Sequence, residues 1–74
     1  MSEIINMSQA RQLTLDRLDQ WIQELPVSER QRPRIIIDFN SYSVLDLKAE
    51  VERNTDVGKR YVYDTAKRLG YVVE

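Results

Sequence analysis

Leu15, Leu18, Ile22 and Leu25 recur at the three- and four-residue spacing of one helical face, and Trp21 widens the stripe. This pattern predicts a helix from Ser8 to Leu25, with Ser8 as N-cap and Pro26 ending it, because the residue before a proline is pushed out of helical geometry. The same four positions satisfy a short heptad seam, so the face can serve either a core or a second chain. Residues 1–7 are expected to fray, and 27–33 (VSERQRP) read as a polar connecting loop or one loose turn.

The period then changes. Arg34 to Phe39 (RIIIDF) is rich in β-favouring residues and is bounded by Pro33 and Asn40-Ser41, which predicts a strand. Alternation places Ile35, Ile37 and Phe39 on one face and Arg34, Ile36 and Asp38 on the other. Ser43 followed by Asp46 reads as a capping box opening a helix to about Arg53, with Val44, Leu47 and Val51 inward. Asn54 suits the left-handed conformation at that helix's end, and Thr55 or Asp56 suits the cap of the next. The next helix runs to about Leu69 with Gly58, Val62, Ala66 and Leu69 on its inner side. Gly70 stands where a C-terminal glycine cap belongs, and Tyr71 to Glu74 read as a short strand.

At 74 residues the chain has room for one small domain with one core, and a domain of this size gains from self-association, so a homodimer is expected. Hydrophobic residues at 42% and charged residues at 31% are ordinary globular usage and argue against disorder. Eleven basic against twelve acidic residues give a formal net charge of -1, so attraction to nucleic acid has to come from a local patch. With neither Cys nor His there is no disulfide, thiolate nucleophile or imidazole base, and a reducing cytoplasm fits. Unbroken apolar runs reach only three residues, as at Ile35 to Ile37, far short of the ~20 that a bilayer span needs. No membrane association is expected.

Enzymatic chemistry finds little footing. Asp16 with Asp19, and Asp46 with Glu50, share helix faces, but each pair lies among Gln, Arg and Lys on a solvated face where acidic residues are routine. The two glycines, Gly58 and Gly70, form no phosphate-binding or nucleophile-elbow motif. Neither a catalytic activity nor a cofactor or metal is expected.

The helix of residues 57–69 carries four bases and one acid. Arg60, Tyr63, Asp64 and Lys67 fall at i, i+3, i+4 and i+7, opposite the apolar side, with Lys59 and Arg68 flanking. Such a face supplies phosphate contacts from Lys and Arg and base-edge contacts from Arg60 or Tyr63. The same spacing of Arg60, Asp64 and Arg68 also makes an ordinary ion-pair ladder, and both readings stay open.

Two short helices across a turn, preceded by one strand and followed by another, match the order of a winged helix-turn-helix domain. Arg68-Leu69-Gly70-Tyr71-Val72 resembles the junction in such regulators where the recognition helix turns at glycine into the wing strand. The resemblance covers residues 34–74. It implies a winged-helix-like α+β fold in the order helix-strand-helix-helix-strand, with Arg34 to Phe39 antiparallel to Tyr71 to Val73. It further implies a transcriptional regulator that binds double-stranded DNA through Lys59, Arg60, Tyr63, Lys67 and Arg68. Strand-helix-helix is also the layout of ribbon-helix-helix repressors, but Asp38 on the outward strand face would oppose phosphate. The competing functional class is a protein-binding module, an adaptor, antitoxin-like protein or inhibitor, that docks a larger protein partner through a helix or sheet edge and uses Trp21, Tyr42, Tyr61 or Tyr63.

Overall fold

A computed structural model describes residues 3–74, which form three helices and four short strands in a mixed α+β arrangement. In chain order these are β1 (Glu3–Ile5), α1 (Met7–Glu24), β2 (Ile35–Ile37), β3 (Asn40–Tyr42), α2 (Val44–Glu52), α3 (Asp56–Arg68) and β4 (Tyr71–Val73), with a 3-10 turn at Val27–Glu29. The five elements read from the sequence are present in their expected order, and β1 and β3 are additional.

Helix α1 is capped by Asn6, two residues before the expected Ser8 cap. Asn6 takes extended geometry and its side chain accepts from Gln9 N at 2.8 Å, while Gln9 Oε1 accepts from Asn6 N at 3.0 Å. Two otherwise orphan backbone donors are thereby satisfied. The helix stops at Glu24, and Leu25 turns extended ahead of Pro26. Its buried residues are Ala10, Thr14 and Leu18, so the core face is rotated from the leucine stripe and leaves Leu15, Ile22 and Leu25 only half-buried. Thr14 is tolerated there because its hydroxyl donates to Ala10 O at 2.8 Å.

Between α1 and α2 the chain makes a hairpin rather than the single strand expected over Arg34 to Phe39. β2 pairs antiparallel with β3, Ile37 opposite Asn40, leaving Asp38 and Phe39 as a two-residue turn with φ of 49° and 70°. Positive φ at both positions is what a turn matching the strands' twist requires. Phe39 was expected on the inner face with Ile35 and Ile37; the turn instead holds it fully exposed, while Ile35 and Ile37 pack against the core. Because β2 is already paired within its own chain, the ribbon arrangement would add a partner only on its other edge.

Helices α2 and α3 follow their sequence signals closely. Ser43 accepts from Asp46 N and Asp46 accepts from Ser43 N, both at 3.1 Å, and Val44, Leu47 and Val51 are buried. Asn54 takes φ 58°, and Thr55 caps α3 by accepting from Gly58 N at 3.1 Å. From α1, Arg11 donates to Val51 O at 3.1 Å and to Glu52 O at 2.8 Å, which places a cation on the carbonyl end of α2. Lys48 and Asp19 bridge α2 to α1 at 2.6 Å.

The expected pairing of the last strand is corrected. β4 lies parallel to β1, Glu3 opposite Tyr71 and Ile5 opposite Val73, and Glu74 N donates to Ile5 O at 2.9 Å. Residues 3–7, expected to fray, therefore supply a strand, a helix cap and the first helical residue; residues 1–2 lie outside the described residues. Leu69, expected in the core, is 39% exposed because α3 ends at Arg68 and the chain turns away at Gly70, φ 92°. The core consists of Ile5, Ala10, Leu18, Leu47, Val51, Val62 and Ala66, drawn from β1 and all three helices.

Candidate nucleic-acid interface

The side of α3 that faces the core is small. Gly58, Val62, Thr65 and Ala66 are buried, and Gly58 lets the helix approach the backbone of α2 at Glu50 and Val51. That close approach fixes α3 against α2 and turns the opposite face to solvent. Arg60, Tyr63 and Lys67 are exposed there, with Lys59 and Arg68 exposed on opposite flanks, as their spacing predicts.

These five side chains do not share one environment. Arg60 Nη1 lies 2.7 Å from both carboxylate oxygens of Asp38, across 22 residues of sequence, tying α3 to the hairpin turn. Asp38 thus stands beside the basic face, and the ladder from Arg60 to Asp64 and Arg68 is not formed among the described residues. Lys59, Lys67 and Arg68 have no ion-pair partner among the described residues. Tyr63 is half-exposed between Arg60 and Lys67, and its phenol has no hydrogen-bond partner among the described residues. Arg68 leans to the α1 side of the helix, where it lines a cleft with Arg17 and Trp21.

The arrangement presents four cations of one helix to solvent. Both partners of Arg60 and Asp38 are more than half exposed, so an exposed pair worth about 0 to 1 kcal/mol can be exchanged for phosphate at little cost. Helix electrostatics also favour the placement: Asp56 lies in the first turn of α3 and Lys67 and Arg68 in the last. Among the described residues, no group of three or more Asp or Glu could hold a metal ion, and no helix is long and apolar enough to cross a membrane.

Sequence reading missed two features of this surface. Asp38 was read as part of a strand, and its pairing with Arg60 depends on a hairpin whose turn lacks the usual Asn-Gly or Asp-Gly signal. The α1–α3 cleft was also missed, although Arg17 with Trp21, and Tyr61 with Thr65 and Arg68, each share a helix face by spacing. Comparisons with protein-family models, curated proteins and solved structures gave no significant match.

Proposed function

We propose that the protein is a small DNA-binding transcriptional regulator of winged-helix type, with α2 and α3 as the helix pair and α3 as the groove-entering helix. The observation that carries this reading is the exposed face of Lys59, Arg60, Tyr63, Lys67 and Arg68 on a helix anchored along its other side. Lys59, Lys67 and Arg68 supply backbone contacts, and Arg60 and Tyr63 are placed for base edges. Arg60 must leave Asp38 to do so, and the released hairpin turn then lies beside the duplex. The sheet that braces the pair differs from the usual wing, since β4 is joined to β1. A homodimer would present two copies of α3 to one duplex.

The test is a titration with random-sequence duplex DNA at low ionic strength, comparing the parent protein with a variant carrying Arg60→Ala and Lys67→Ala. Both side chains are exposed, so the variant keeps its fold. Binding should weaken, and the logarithmic salt slope should fall by up to about two, one for each lost phosphate contact. Equal binding by both proteins, or none by the parent, overturns the reading in favour of a protein-binding module. That second reading draws on Ile4 and Val72, register partners that leave exposed apolar side chains on the β1–β4 sheet.

A further inference from the structure

A cleft of about 520 Å³ runs between α1 and α3, within the size range of small-molecule sites. Leu18, Thr14 and Thr65 are the buried residues along it, and Arg17, Trp21, Tyr61 and Arg68 line it as well. The two threonines differ in a way that points to a ligand. Thr14 donates to the carbonyl one turn back, whereas Thr65, only 8% exposed, has no side-chain hydrogen-bond partner among the described residues. No fully enclosed side-chain polar atom among the described residues lacks a partner, so the Thr65 hydroxyl keeps some exposure, and Thr65 is one of the residues that line the cleft.

The remaining groups set the chemistry. Arg17 from α1 and Arg68 from α3 have no ion-pair partner among the described residues, and a guanidinium fork matches a carboxylate or phosphate group. Trp21 and Tyr61 are half-buried and offer aromatic surface. Glu24, the acid in the cleft, is engaged by Gln20 Nε2 at 3.3 Å, and two cations against one anion leave the cleft net positive. We propose that this cleft binds a small planar aromatic anion, a one- or two-ring compound bearing a carboxylate or phosphate. The oxyanion lies between Arg17 and Arg68, and the ring packs on Trp21 and Tyr61 with Thr65 as a polar anchor. This goes beyond DNA binding, and of the residues proposed to contact DNA only Arg68 lines the cleft.

The test is a two-dimensional amide NMR titration of the full chain, in which Trp21 gives the single indole N–H signal. The probes are 2-naphthoate and 1-naphthyl phosphate, with acetate and the neutral alcohol 2-naphthalenemethanol as controls. At least one aromatic anion should shift the Trp21 indole and Thr65 amide signals saturably, and neither control should. The preferred probe then identifies the source as a carboxylate or a phosphate. Replacing Arg17 and Arg68 together with Gln should weaken binding by on the order of tenfold or more, the loss expected of charged hydrogen bonds. Thr65→Val, which preserves side-chain shape, should weaken it more modestly while the amide spectrum stays native. No saturable shift from either anion overturns the proposal. So does an equal shift from the neutral alcohol, or undiminished binding by a natively folded double variant. Because the DNA titration uses Arg60 and Lys67, failure of one reading is distinguishable from failure of the other.

Discussion

Gly58 of α3 sits directly on the backbone of Glu50 in α2: a Cβ added at Gly58 would overlap the Glu50 carbonyl and lie 2.8 Å from Val51 N. Gly58 lies in the first turn of α3, where any larger residue would meet this backbone, so the contact requires glycine there. Gly58→Ala must push two helices apart, and overpacking of this kind costs about 1 to 3 kcal/mol, sometimes more, which exceeds any gain in helix propensity at a first-turn position. A net fall in the urea unfolding midpoint is expected. A rise would show that α2 and α3 are free to separate.

The hairpin turn makes the opposite prediction. Phe39 holds φ 70° with its side chain fully in solvent, so it bears the left-handed conformation without packing in return. That conformation costs a non-glycine residue about 1 to 2 kcal/mol, and glycine's extra freedom in the unfolded chain returns roughly 0.5 to 1 kcal/mol of it. Phe39→Gly should therefore stabilise the protein slightly, by about 0.5 to 1 kcal/mol. Thermal denaturation checks this, and a lowered midpoint would mean that Phe39 is held by contacts elsewhere.

The Lys48–Asp19 bridge gives a pH signature. The hydrogen bond to Asp19 raises the Lys48 pKa above the ordinary 10.5, with Coulombic attraction to Asp19 and Glu52 adding to it and desolvation opposing it. A raised folded-state pKa means that this contribution is fully present below the unfolded value and is lost as pH climbs through the folded one. For a pair this exposed the contribution is about 1 kcal/mol at most. Asp19→Asn should accordingly lower stability slightly at neutral pH and converge with the parent in strongly alkaline solution. A gap that persists at high pH would assign the effect to packing.

Leucine position separates core from rim. Leu18, 1% exposed, should cost about 2 to 5 kcal/mol when cut to alanine. Leu69→Ala should cost under about 1 kcal/mol, because that side chain keeps much of its contact with water at the end of α3. Equal losses in chemical denaturation would contradict the placement of Leu69.

These contrasts show where local sequence carried the structure. Ser43 with Asp46, Asn54, Thr55 and Gly70 each specify their geometry through bonds to backbone within a few residues or through their own φ, so the boundaries of α2 and α3 were legible. The basic face of α3 was legible for the same reason, since it follows from one helix's period and its buried Gly58, Val62 and Ala66. What escaped depends on distant partners. Glu3 to Ile5 is a strand only because Tyr71 to Val73 lies beside it, and Asp38 with Phe39 makes a turn without the residues that usually announce one. In α1 only Leu18 of the apolar stripe is fully buried, and Ala10 and Thr14, which the apolar spacing did not include, complete the buried face. The cleft joins side chains from two helices, and only tertiary structure brings Arg17 and Arg68 to one cleft.

The parallel pairing of β1 with β4 has a temporal side. On a ribosome Glu3 to Ile5 emerges early, yet its partner is Tyr71 to Val73, so the strand must wait while all three helices are made. Throughout that interval Ile4 and Ile5 are unpaired, and Ile5 has not yet reached its place in the core. The nascent chain therefore cannot complete this sheet until Tyr71 to Val73 has left the ribosome. A premature stop just after Gly70 would release a polypeptide whose first strand lacks its partner.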